Sequence, residues 1–234
     1  MKRNILMAVS GSIIIIFGII SYFKINENIV YAVAKPSESI TIVLDAGHGG
    51  MDGGASGASS IEKDINLDIT LKLADMLTLS GYEVVLTRDK DISIHDNGLK
   101  SIHEQKVSDL RNRLKLVKNQ INPYFFSIHQ NHFGQSQYSG AQMFYSENNE
   151  ESKLIAQILQ DKFVSNLQKE NKRQIKPAGN NLYLLYNLKC PAVLIECGFL
   201  SNPAEEKLLN NGEYRTKVAF TIYSSITAYF DSRE

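Results

Sequence analysis

Four side chains able to bind a metal or move a proton stand out by where they fall. His48 follows the apolar run Ile40-Thr41-Ile42-Val43-Leu44 and opens a glycine-rich loop, and Glu62 stands where that loop ends. His129 closes the run Tyr124 to Ile128 in SIHQNH, and Glu196 follows Val193-Leu194-Ile195 in PAVLIECGFLSN. Two imidazoles and one carboxylate leave a coordination position open on Zn²⁺, the pattern of a catalytic rather than a structural zinc site. A further carboxylate off the metal is needed to move protons, and Glu196 fits that role.

Each residue also has a plainer reading. Ser59 and Glu62 form S-x-x-E, a capping box with the glutamate at N3 of a helix. His48 fits a turn, and His129 fits a core histidine with both nitrogens satisfied. Glu196 is the hardest to explain structurally, because a buried carboxylate is costly unless paired or bound to a metal. The glycines of the loop do not make a nucleotide cradle: neither G-x-G-x-x-G nor G-K-[ST] occurs there. His132, three residues beyond His129, reads as a surface residue, and His95, His103, Asp89 and Asp96 read as solvated.

The elements that must position these residues follow from periodicity. Residues 40–44 form a buried strand. Apolar residues at 61, 65, 69, 73 and 76 predict a helix from Ile61 to Leu79, closed by Gly81. A strand at 83–88 leads to a helix ending near 117, with Val107, Leu110, Leu114 and Val117 as its apolar face. Strands at 124–128 and 141–145, a helix around 151–169, strands near 182–185 and 192–196, and a helix over about 213–230 complete the series. Alternating strand and helix imply an α/β fold: an open, mostly parallel sheet with helices on both faces, in a single domain. Ligands of such sheets lie beyond the carboxyl ends of the strands, where His48, His129 and Glu196 all fall.

Length and composition bound the rest. A chain of 234 residues with 43% hydrophobic content can bury one good core. Twenty-five Lys plus Arg balance 25 Asp plus Glu, which argues against nucleic acid as a partner. Lys2 and Arg3 precede an apolar stretch from Ile5 to Phe23, an export signal whose length approaches the roughly 20 residues that span a bilayer. Residues 1–24 therefore read as a signal or membrane anchor, 25–39 as a linker and 40–234 as the catalytic domain. Ala32-Val33-Ala34 offers the competing reading of a cleaved signal. The functional part is expected outside the cytoplasm. CPAVLIEC reads as one strand, which puts Cys190 and Cys197 about 23 Å apart, too far for a disulfide, so they read as two buried thiols.

LDAGHGG, IEKDINLDITLKLADMLTLSGYEVVLTRDKD, SIHQNH, GAQMFYS and CPAVLIECGFLSNPAEE, in that order, resemble the zinc-dependent N-acetylmuramoyl-L-alanine amidases of bacterial cell walls, over residues 41 to 230. Within that family the chain looks most like the germination-specific amidases of spore formers. The resemblance implies cleavage of the amide between the muramoyl lactyl group and L-alanine of peptidoglycan. It implies His48, Glu62 and His129 as zinc ligands and Glu196 as the catalytic glutamate. It further implies a part in making muramic-δ-lactam in spore cortex, a location in the forespore intermembrane space or cortex, and dependence on an accessory protein. The glycines beside His48 would leave room for a glycan. Arg113 matches an arginine of the family, but Val117 and Lys118 replace its Ala-Asn, and Tyr186 stands where relatives carry a basic residue. A zinc peptidase trimming stem peptides and a non-catalytic wall-binding protein remain as rival readings.

Overall fold

Six consecutive residues of β1, Thr41–Ala46, are buried on both faces, as expected for the central part of a parallel sheet covered by helices on each side. The computed structural model describes residues 40–233; the anchor and linker readings for residues 1–39 lie outside them. Among the described residues no helix is long and apolar enough to cross a membrane.

After β1 come α1 (Glu62–Leu79), β2 (Glu83–Leu86), α2 (Ile102–Lys118), β3 (Pro123–Asn131), β4 (Gln142–Tyr145), α3 (Glu151–Asn166), β5 (Lys176–Pro177), α4 (Tyr183–Asn187), β6 (Ala192–Phe199), α5 (Pro203–Leu209) and α6 (Gly212–Asp231). The sheet order is β2-β1-β3-β6-β4-β5. β2, β1, β3 and β6 are parallel, and β4 pairs antiparallel with β6. The fold is thus a single domain with a mixed, mostly parallel sheet flanked by helices.

The chain leaves β1 toward β2 on one side, then returns past β1 to β3 on the other. With right-handed crossovers, that reversal puts α1 and α2 on opposite faces. One core lies under α1, α3 and α6 and is built from residues such as Ile69, Leu73, Phe126, Ile195 and Ile222. A smaller one lies under α2 and α4, with Val43, Val117, Phe125, Leu184 and Leu194. The reversal leaves a crevice between the carboxyl ends of β1 and β3, the place where open α/β sheets bind ligands.

Two sequence expectations need correction, and one alternative left open by the sequence is decided. The strand expected near 182–185 is the helix α4, whose Leu184 and Leu185 are buried; an apolar run this short has no period that separates strand from helix. The face of α2 is rotated: Ser108, Asp109, Arg113 and Val117 are buried, while Leu110 is 37% exposed. The cause is Asp45 on β1, which is 1% exposed and needs a counter-ion from the helix above it. Ser59 does not cap α1, whose N-cap is Ile61 with no side-chain cap. Instead the loop carbonyls of Ala55 and Gly53 accept from the Glu62 and Lys63 N–H groups at 2.9 and 3.1 Å, and Ser59 donates to Glu206. The capping box of this protein is at Ser101 and Glu104. Cys190 and Cys197 are free thiols, as expected, but only Cys197 is buried, since Cys190 precedes β6 and is partly exposed.

Candidate active site

At the end of β1 the backbone turns sharply, and His48 adopts a left-handed conformation (φ 65°), uncommon for a residue other than glycine. Two buried arginines hold this turn by its carbonyls. Arg113 donates from Nη1 to Ala46 at 2.9 Å and from Nη2 to His48 at 2.7 Å. Arg88 donates to Ala46 at 2.9 Å and to Gly47 at 3.1 Å. Arg113 is balanced by Asp45 at 2.5 Å and Asp109 at 2.7 Å. Burial works against the Asp45 charge, but Arg113 and the hydroxyls of Ser127 and Thr87 hold its carboxyl down at about 2.

This turn delivers His48 to the same point as Glu62, from the first turn of α1, and His129, from the carboxyl end of β3. One donor atom from each lies within 4.8 Å of the others. Glu62 Oε1 is 3.2 Å from His48 Nε2 and 2.9 Å from His129 Nδ1. Glu62 is fixed in place by the N–H groups of Ala55 and Gln130 at 2.8 and 3.1 Å and by the Asn66 amide at 3.2 Å. His48 Nδ1 lies 2.9 Å from Asp52 Oδ2, whose other oxygen takes Lys106 at 2.8 Å. A carboxylate on the far side of an imidazole is how ligating histidines are oriented.

The glycines have a closer task than leaving room for a glycan. A Cβ on Gly47 would stand 2.3 Å from the His129 ring, and one on Gly54 would stand 2.5 Å from Glu62 Oε2 and 2.6 Å from His48. The loop backbone packs directly against all three donors.

The electrostatics favour a cation among them. Burial disfavours a charged His48, yet Asp52 and Glu62 raise it to about 9. Burial likewise opposes the Glu62 charge, but the two imidazoles hold its carboxyl well below the usual range. Two carboxylates facing two imidazoles thus draw positive charge into the pocket, as protons or as a metal ion. His48, Glu62 and His129 fit a metal by donor type and by proximity.

Glu196 stands directly beside His129, its register partner on the neighbouring strand. Its Oε2 is buried and has no hydrogen-bond partner among the described residues. Burial pushes its carboxyl up to about 7, with His129 and His48 pulling down and Glu62 pushing up. A carboxyl poised near neutrality beside a cation site can both accept and return a proton. A cavity of about 170 Å³, lined by His48, Met51, Leu110, Arg113, His129 and Leu184, opens next to the cluster. His132 is exposed and outside the cluster. Sequence reasoning missed Asp45, Asp52, Asn66, Arg88 and Gln130. Only Arg88 carried a usable signal, since it follows the carboxyl end of β2.

A family model described as N-acetylmuramoyl-L-alanine amidase matches residues 42–228. The chain belongs to that family. The amidase is 36% identical over 223 residues to the germination-specific N-acetylmuramoyl-L-alanine amidase of Bacillus subtilis (strain 168), covering 95% of this chain and 93% of that protein. Among solved structures it is similar to the CwlD amidase from Clostridioides difficile in complex with the GerS lipoprotein. That match has a TM-score of 0.79 and 43% identity, and it covers 82% of this chain and 98% of that one. The N-acetylmuramoyl-L-alanine amidase from Clostridium difficile 630 matches with a TM-score of 0.71 and 31% identity, over 85% and 100% of the two chains. Peptidoglycan is accordingly the substrate of this amidase.

Proposed function

We propose that this amidase is a zinc hydrolase that cleaves the amide joining the muramoyl lactyl group to L-alanine of the stem peptide. The observation that carries this reading is the meeting of His48, Glu62 and His129 donor atoms within 4.8 Å, beside a carboxyl with a buried, partnerless oxygen. His48, Glu62 and His129 would hold Zn²⁺, which when bound polarises the scissile carbonyl and acidifies water. Glu196 takes the proton of the attacking water and delivers it to the alanine nitrogen, an amine that leaves poorly unless protonated. Asp52 keeps the His48 ring in orientation, and Arg113 and Arg88 fix the backbone that carries it.

The relatives support a cellular role as well. Similarity to a germination-specific amidase supports action on spore cortex, where this cleavage would lead to muramic-δ-lactam once another enzyme deacetylates the sugar and closes the ring. The complex of CwlD with GerS supports an accessory lipoprotein as partner. The basic and apolar N-terminus supports an extracytoplasmic location, by anchor or by export.

Muropeptide mass analysis after incubation of cortex with purified protein tests the reaction. Intact stem peptides with a free L-alanine amine are expected, and a chelator should stop their release. Shortened peptides would mark a stem peptidase instead. Glu196→Gln should abolish turnover while retaining zinc.

A further inference from the structure

One row of side chains crosses the sheet from the metal cluster outward. His129 on β3 pairs with Glu196 on β6, and Glu196 pairs with Gln142 on β4. Directly paired residues point to the same face of a sheet. The row continues off the sheet, where Arg173 Nη1 donates to Gln142 Oε1 at 3.0 Å. Arg173 Nε donates to the Ser139 carbonyl at 2.7 Å, and its guanidinium lies 4.4 Å from the centre of the Phe199 ring. Phe199 reaches that position because a register shift after His129 brings it opposite Asn131. Three contacts therefore immobilise the guanidinium two steps along the row from Glu196.

Its charge acts on Glu205 without a direct ion pair. Arg113, Arg215 and Arg233 each have a carboxylate within ion-pair distance, but half-buried Arg173 has none among the described residues, and its Nη2 has no partner there. It borders an open cavity of about 700 Å³ where Lys169 and Lys172 add positive charge and Glu170 and Glu205 add negative charge. A preorganised guanidinium with an unused edge is a receptor for a carboxylate.

We propose that Arg173 is a specificity-determining residue that binds a carboxylate of the stem peptide on the leaving side of the scissile bond. The inference rests on the amidase reading and deepens it. One strand spacing, plus the hydrogen bond beyond Gln142, places the guanidinium roughly 8–10 Å from Glu196. An extended peptide advances about 3.3–3.6 Å per residue, so the recognised carboxylate belongs to the second or third residue of the peptide whose first residue is L-alanine.

The test uses zinc-loaded protein and synthetic muramoyl peptides carrying a carboxylate or a carboxamide at the second or the third position. The wild type is expected to prefer the carboxylate at one of these positions by about 10-fold or more in kcat/KM. The preference should reside in KM. Arg173→Gln should bring the ratio close to one, and Arg173→Lys, which keeps the charge without the fork, should retain part of it. Thermal melts check that each variant is folded. A wild type indifferent to all carboxamide replacements overturns the inference, whatever the variants do. A preference that survives Arg173→Gln overturns the assignment to this residue. Cleavage of none of the peptides removes the amidase reading itself, a result distinct from equal cleavage of all.

Discussion

Glu196→Gln in chelator-treated protein should raise thermal stability at pH 8 far more than at pH 5. Burial lifts the folded-state carboxyl to about 7 from an ordinary 4.5. A carboxyl whose pKa is raised on folding prefers its neutral form. The fold therefore loses nothing below about pH 4.5, loses stability as pH climbs between the two values, and reaches the full loss above about pH 7. A gap of about 2.5 units corresponds to about 3 kcal/mol at most, of which roughly 2–3 kcal/mol develops between pH 5 and pH 8. For a domain of this size that is a difference of roughly 4–12 °C in melting temperature. The amide brings its own pH-independent effect, because its NH₂ enters a site where Oε2 has no partner; comparing the two pH values cancels it. Calorimetric melts of both proteins at pH 5 and pH 8 supply the four numbers required. A shift equal at both pH values, or a variant that loses ground as pH rises, would refute the claim that Glu196 is held against its charge. Restoring zinc should shrink the advantage of the amide, since a nearby cation favours the carboxylate.

Three further outcomes follow from the same geometry. Gly47→Ala places a methyl 2.3 Å from the His129 ring, so zinc affinity, measured by competition with a chromogenic chelator, should fall steeply while the protein still folds at lower stability. Asp52→Asn removes the carboxylate behind His48 Nδ1 and should weaken zinc binding by about 10–100-fold with little change in melting temperature at saturating metal. Arg113→Met leaves Asp45 buried with no counter-ion and should destabilise by about 3–5 kcal/mol in denaturant titration; Asp45→Asn in the same chain should recover part of that loss.

The donor residues were legible because each falls at a predictable strand or helix end, and β1 and α1 carry long, regular patterns. What escaped had physical reasons. β5 has two residues and ends in Pro177, which cannot extend a ladder. The motif S-x-x-E occurs at both Ser59 and Ser101, yet only the second caps a helix, because loop carbonyls already occupy the first N–H groups of α1. The rotated face of α2 depends on Asp45, whose need for Arg113 spans the gap from β1 to a distant helix. Asp52 and Gln130 acquire meaning only once His48 and Glu62 are known to be neighbours, which is tertiary information.

β6 is the last strand in the chain, yet it lies between β3 and β4. A chain made from its N-terminus thus presents two unpaired strand edges until β6 arrives, a slow and aggregation-exposed state for a parallel sheet. The same late strand carries Glu196. The complete candidate site is therefore assembled in one final insertion, and a chain interrupted between β3 and β6 carries His48, Glu62 and His129 but not Glu196.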